Sequence, residues 1–345
     1  MPSMRAGEET LASVRAVARR TAAARFGAWL PLVAAVALIA LPSVLTPYTR
    51  DLVMTLIIYA IFALSLELLV GTTGLVSFGH AAFLGIGAYI TVLATPASGP
   101  GSIAVLLPLA VGGAALYALI VGALSLRTRG VYFLMVTLAF AQMAFFVFHD
   151  TDVGGGSDGI YLYFRPVMAV GEHKLLDLDQ WGQLYGLAVG MLIFTYAFLA
   201  LLRRSRFGHA LAGIRINEQR MRAAGFRTYG YKLAAFVIGC ALAGMAGFLM
   251  AAKNGVVNPE LLSWHLSAEV LLMVIFGGLG SLRGAVIGAV GFTLLKELYQ
   301  SPGLVGTLAA DHWQLTMGIT IILFVAFVPR GVIGIFRRLR TAPGS

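Results

Sequence analysis

Charge is scarce in this chain of 345 residues: only 12% are Asp, Glu, Lys or Arg, against 59% hydrophobic. A soluble domain carries about 25% charge, so the main solvent here is lipid. Cysteine occurs once, at Cys240 inside an apolar run, which excludes an internal disulfide. No GxxxxGK[ST] run is present, so the chain has no phosphate loop of its own with which to hydrolyse ATP. No HExxH run or cysteine cluster offers a metal its ligands. Gly155, Ser157 and Gly159 match the spacing of a hydrolase nucleophile elbow, but that motif needs a strand before it and a helix after it, and a polar loop supplies neither. Nothing reads as catalytic.

What the chain does have is a series of long apolar runs. A helix crosses a hydrocarbon core of about 30 Å with roughly 20 residues at 1.5 Å each. Spans are predicted near 27–45, 52–70, 74–94, 103–126, 131–149, 183–202, 232–252, 266–282, 284–300 and 314–329. Their length and unbroken hydrophobicity exclude the alternating strands of a membrane barrel. The fold class is an all-α, multi-pass bundle of about ten membrane segments, with room for discontinuous helices and an internal repeat. The net charge of +10 invites a nucleic-acid partner, but position argues against one. With a cytoplasmic N-terminus, 20 of the 25 Lys and Arg fall on the cytoplasmic side, as the positive-inside rule requires.

These spans divide the chain into a cytoplasmic tail over 1–26, a membrane domain over 27–336 and a second cytoplasmic tail over 337–345. The first apolar run exceeds a secretory signal's core and is read as a retained span. Two polar segments interrupt the spans. The outer one, about 150–182, is acidic, irregular and glycine-rich at its start, whereas the inner one, about 203–231, is strongly basic. Within it, 209–224 predicts one short helix stopped by Gly225 as a left-handed C-cap. Ala210, Ile214, Met221 and Ala224 would form its apolar stripe, opposite Arg215 and Arg222.

The glycines of FGGLGSLRGAVIGAVG predict a break near Ser281 to Arg283 that makes 266–300 two crossings rather than one overlong helix. The stretch 71–90 has a similar texture and is a candidate counterpart in an internal repeat. Gly85, Gly87, Gly284 and Gly288 read first as sites of close helix packing. A charge in hydrocarbon costs about 2.5–3.5 kcal/mol even on the lenient scale. Glu67, His80 and Glu269 should therefore face the bundle interior or a water-filled cavity, while Lys296 and Glu297 lie near a span end, where long side chains snorkel. The same three ionisable residues frame an alternative, a proton- or sodium-coupled carrier with a carboxylate relay.

Five blocks in order, LVGTTGLVSFGHAAFLGIGAYITVL, LRTRGVYFLMVTLAFAQM, GGGSDGI, EQRMRAAGF and FGGLGSLRGAVIGA, resemble the permease subunits of bacterial branched-chain amino acid ABC transporters. The resemblance covers most of the chain. It implies an inner-membrane transport subunit that binds no cofactor itself. ATP would be used by two cytoplasmic P-loop ATPases, a second homologous permease would complete the path, and a periplasmic binding protein would deliver the substrate. It implies that Arg215, Glu218, Arg222 and Gly225 belong to the ATPase-docking segment, and that Ser77, Phe78 and His80 lie near the translocation path with Gly85 and Gly87 packing beside them. Glu67 departs from the family pattern, where a neutral polar residue is usual, and joins the path candidates. Permeases for urea and short amides share these blocks, so the substrate class stays open between those solutes and Leu, Ile and Val.

Overall fold

In the computed structural model the described residues are 46–96, 98–170, 173–301, 312–328 and 331–334. Both predicted tails and the predicted span 27–45 lie outside them. Residues 1–50 form a unit separate from the body, Asp51–Ser345; of the former only 46–50 are described, as the entry to the first helix.

The chain is helical with short strand pairs at one end. Helix α1 (Pro47–Glu67) breaks its α-helical bonding at a contiguous π-helical segment, Leu68–Thr73, which Gly74 closes in a left-handed conformation at φ +76°. There follow α2 (His80–Leu93), α3 (Ile103–Ser125) and α4 (Val131–Asp150). The polar loop after α4 is less irregular than the sequence suggests. It carries β1 (Ile160–Tyr161) and an antiparallel hairpin of β2 (Val167–Val170) and β3 (His173–Asp177). Helix α5 (Trp181–Arg204) leads into two short helices, α6 (Arg206–Ile216) and α7 (Glu218–Ala223). Helix α8 (Thr228–Asn254) then returns to the strand end, where β4 (Val256–Val257) pairs antiparallel with β1. Helices α9 (Trp264–Gly277), α10 (Leu282–Gln300) and α11 (Trp313–Phe327) complete the described chain.

Among the described residues six helices are long and apolar enough to cross a membrane: α1 with its π segment, α3, α4, α5, α8 and the helix that starts at Trp313. Three predicted spans turn out differently. The span 74–94 is helical only over α2, 14 residues, because 74–79 is non-helical and threads between neighbours. A Cβ at Gly79 would lie 2.2 Å from the Thr137 carbonyl oxygen, and Ser267 Oγ accepts the Ala81 amide at 2.9 Å. The pair 266–282 and 284–300 is α9 and α10, which meet at a 117° bend. Their break falls at Gly278–Ser281, earlier than predicted: Gly278 and Gly280 both adopt positive φ, and the Ser281 hydroxyl caps α10 by accepting the Gly284 amide.

Burial separates a centre from a rim. About three-quarters of the apolar window of α1 and of α8 is buried, against less than a third in α3 and α4. Lipid is as apolar as leucine, so membrane helices associate through close packing rather than hydrophobic expulsion, and α8 achieves this through glycine. Gly244 faces Ala110 and Ala114 of α3 and the backbone at Gly87 of α2, while Gly247 sits on the Leu84 carbonyl. At the strand end Tyr89 stacks on Phe148 at 4.1 Å and donates to the Gly154 carbonyl, tying α2 to the polar loop.

Replacing Gly247 with Ala would put a Cβ 1.9 Å from the Leu84 carbonyl oxygen, so the thermal stability of the purified chain should fall by at least the about 1–3 kcal/mol of an overpacked core. Gly186→Ala, with nothing within 4 Å, is the control that should leave the melting temperature unchanged or raise it slightly, since alanine favours the helix.

Candidate functional site

The basic end of the bundle holds the densest set of predicted site residues. Ser205 ends α5 and begins α6, its hydroxyl accepting the Gly208 amide at 3.3 Å, as a Ser N-cap does. Ala210, Leu211 and Ile214 bury one face of α6 against the body. The single helix expected over 209–224 is in fact two, because Asn217 leaves the helical conformation and its side chain caps α7 by accepting the Arg220 amide at 2.9 Å. The expected stripe is therefore divided. Ala210 and Ile214 are buried on α6, Met221 is half-buried against Gly213, and Ala224 is exposed.

Three cationic or hydroxyl groups converge on Glu218. Arg222 Nη2 and Lys232 Nζ each stand 2.6 Å from one of its oxygens, and Thr228 donates to it at 3.0 Å. Partial burial pushes this carboxyl up, but the bonds from Lys232, Arg222 and Thr228 outweigh that and hold it at about 2. After α7 the chain turns at Gly225, φ +87°, with the Gly225 amide on Arg222 O and the Phe226 amide on Met221 O, the paired bonds of a Schellman closure. Ile216 is 84% exposed and Phe226 39%, and Arg220 and Arg227 are exposed as well. This is a rigid, capped unit with an apolar and basic outer face.

Two arginines, one in this unit and one at the end of α5 just before it, reach the interrupted helices. Arg215, on α6, donates through Nη1 to the carbonyl of Gly71 in the π segment. Arg203, on the last turn of α5, donates through Nη2 to the carbonyl of Gly280 at 2.8 Å, in the break between α9 and α10. Between them lies Glu67, with no exposed surface and within electrostatic reach of both guanidiniums. The backbone amides of Gly280 and Ser281 approach its carboxylate from the facing loop without closing a bond of ordinary geometry. Gly71 leaves room for the Glu67 carboxylate, whose oxygen a Cβ there would meet at 2.0 Å and push aside. A cleft of about 500 Å³ opens beside this cluster, lined by Gly71, Arg203, His209, Arg215, Ile216 and Gly280.

The remaining predicted residues lie deeper. Ser77 and His80 are fully enclosed; His80 pairs with the Ser65 hydroxyl at 2.8 Å and stacks on Phe62, which joins α1 to α2. Phe78, half-buried, lies at a bend in the non-helical run that precedes α2. A Cβ at Gly85 would strike Leu262, and one at Gly87 the backbone of Gly244. Lys296 does not snorkel: it pairs with Glu269 at 2.8 Å. Sequence reasoning missed Arg203, Gly71, Gly280, Thr228 and Lys232; the first and last were visible only as contributions to the basic excess.

Among the described residues, six long apolar helices packed through glycine, with a capped basic unit at one end, define a polytopic helical membrane protein. The sequence model of the branched-chain amino acid transport system permease component matches residues 48–326, and the chain belongs to that family. It is 30% identical over 87% of its length to the high-affinity branched-chain amino acid transport system permease protein LivM of Escherichia coli (strain K12), covering 73% of that protein. LivM of Salmonella typhimurium is 29% identical over the same shares. The permease LivH of E. coli K12 is 21% identical over 80% of this chain and 91% of its own length. No solved structure matches.

Because the Glu218 carboxyl is held at about 2, below its ordinary 4.5, its contribution to stability is complete above pH 4.5 and is lost as pH falls towards 2. Hydrogen exchange of the 217–226 amides, corrected for its intrinsic pH dependence, should accelerate across that window in the unaltered chain, and Glu218→Gln should remove the pH dependence. In a second test, Arg215→Met should cost about 1.5–3 kcal/mol, as for a lost bond to a charged donor. Its cost should differ in a Glu67→Gln background, since groups sharing one network are not additive.

Proposed function

We propose that this chain is one permease half of an ATP-driven importer of branched-chain amino acids in a bacterial inner membrane, with both termini and the α6–α7 unit on the cytoplasmic side. In this reading an extracytoplasmic binding protein delivers Leu, Ile or Val, a second homologous permease completes the path, and two P-loop ATPases bind and hydrolyse the ATP. The permease contributes no cofactor. The substrate reading is supported by the names of its relatives, LivM and LivH among them.

The observation that carries the coupling role is the capped α6–α7 unit, whose outer face is exposed and whose inner face is bonded through Arg215 to the π segment of α1. A short helix with an exposed apolar residue at its end fits a groove on a partner. Arg215, Glu218, Arg222 and Gly225 then have separate tasks: Arg215 reaches the membrane body, Glu218 with Arg222 shapes α7, and Gly225 stops it. Glu67, enclosed at the basic end, serves as counter-charge to Arg203 and Arg215 rather than as a step in an ion relay. Ser77 and His80 keep α1 and α2 in register beside the path.

Affinity capture from gently solubilised membranes should recover a P-loop ATPase and a second permease. Glu218→Ala should weaken ATPase recovery. Gly225→Pro should abolish it, because proline cannot adopt φ +87° and loses the amide bonded to Arg222 O. Recovery of the second permease without any ATPase, from membranes in which other ABC complexes stay intact, contradicts the reading.

A further inference from the structure

One intramembrane ion pair is not used by the coupling unit. Glu269 sits five residues into α9, and Lys296 lies in the second-to-last turn of α10; their side chains meet at 2.8 Å. Trp313, at the start of α11, presents its ring 5.4 Å from the Lys296 ammonium, and Tyr59 of α1 is within electrostatic reach of Glu269. Four helices thus converge on one spot. The spot lies towards the strand end of the bundle, because α9 follows one 3-10 turn, Pro259–Leu262, after β4, which pairs with the polar loop.

This pair is not sealed. The Glu269 and Lys296 side chains are 26% and 25% exposed, whereas Glu67 is fully enclosed. Around them the exposed residues of α10 and α11 are mostly apolar, Leu294, Leu298, Leu315 and Ile319, with Gln300 and Gln314 the polar exceptions. Charge facing lipid costs about 2.5–3.5 kcal/mol per group, so a half-open pair among leucines has to meet water or a second protein surface. Glu269 accepts no other hydrogen bond among the described residues, and Lys296 bonds there only to Glu269. Both groups keep capacity for a further partner.

A ligand that enters such a pair without leaving either charge uncompensated must carry one charge of each sign. An amino acid's ammonium and carboxylate do so, and each bond it makes is charge-assisted. A neutral urea or short amide gains nothing from opening the bridge and leaves the two charges less well paired than before. The Trp313 ring and the neighbouring leucines then provide an apolar surface for an aliphatic side chain.

We propose that Glu269 and Lys296 form a zwitterion-binding subsite on the translocation path, Glu269 receiving the ammonium of a free amino acid and Lys296 its carboxylate. The proposal rests on the importer reading and sharpens it, since it favours an amino acid over a neutral amide as the cargo of this chain.

The test uses the complete transporter captured from its membranes, reconstituted with ATP on the ATPase side and binding protein on the other, and followed by uptake of radiolabelled leucine. Glu269→Gln with Lys296→Gln keeps a hydrogen-bonded pair of similar size and removes both charges. Uptake should fall at least about tenfold, the scale of one charge-assisted bond, while the complex assembles and binding protein still stimulates its ATPase. The exchanged pair, Glu269→Lys with Lys296→Glu, should assemble but fail to restore uptake, because the polarity of the site is reversed. Uptake within twofold of the unaltered complex in either variant overturns the subsite, and so does loss of assembly in both, which would mark the pair as purely structural. Absence of ATP-dependent leucine uptake by the unaltered complex is a different result: it defeats the importer reading itself.

Discussion

A helix interrupted inside a membrane protein leaves backbone carbonyls that lipid cannot satisfy, and this chain interrupts two. The π segment that follows α1 exposes the carbonyl of Gly71, and the bend between α9 and α10 exposes that of Gly280. Each receives an arginine from the basic end, Arg215 and Arg203 respectively. The Glu67 carboxyl, with no exposed surface, lies within electrostatic reach of both guanidiniums. Irregular backbone within a membrane is accepted only where protein or water meets its polar groups, so these two bonds are a condition for both interruptions. Arg215 joins the α6–α7 unit to the π segment, and Arg203 joins the end of α5, which leads into that unit, to the bend.

The consequence is a division of labour along the membrane normal. At the basic end, charge is enclosed or locked: Glu67 between arginines, Glu218 among Arg222, Lys232 and Thr228. In the centre, glycine contacts on α8 hold α2 and α3 close without polar bonds, which suits helices that gain nothing from expelling water. Towards the strand end, the Glu269–Lys296 pair is left partly open. A displacement applied to α6 by a partner would reach both interrupted helices together, and α10, which carries Lys296, begins immediately after one of those interruptions.

Much of this was legible in the residue order, and the reasons differ by element. Long apolar runs, the basic asymmetry and the glycines around 277–284 are local signals, and each corresponds to a helix, a polar end or a bend. Gly225 stands at a left-handed turn because only a residue without a Cβ takes φ +87° cheaply. The division of 209–224 was also written locally, as Asn217 before Glu218, an N-cap followed by an acid in the first turn, but an apolar stripe at helical spacing concealed it. The π segment had no such signal. Nor did the pairings Arg203–Gly280, Arg215–Gly71 and Lys296–Glu269, which join residues between 27 and 144 positions apart and exist only once the helices are packed.

Distance measurement between spin labels at Ala212, exposed on α6, and Leu279, exposed in the bend before α10, addresses the clamp most directly. Cys240 is fully buried and stays unlabelled under native conditions. In the assembled transporter the two labels should keep one narrow separation with and without bound nucleotide, because Arg203 and Arg215 fasten both segments to one block. A separation that changes by several ångströms on nucleotide binding would show α6 sliding over the bend, and would contradict the claim that the basic unit and the interrupted helices move together.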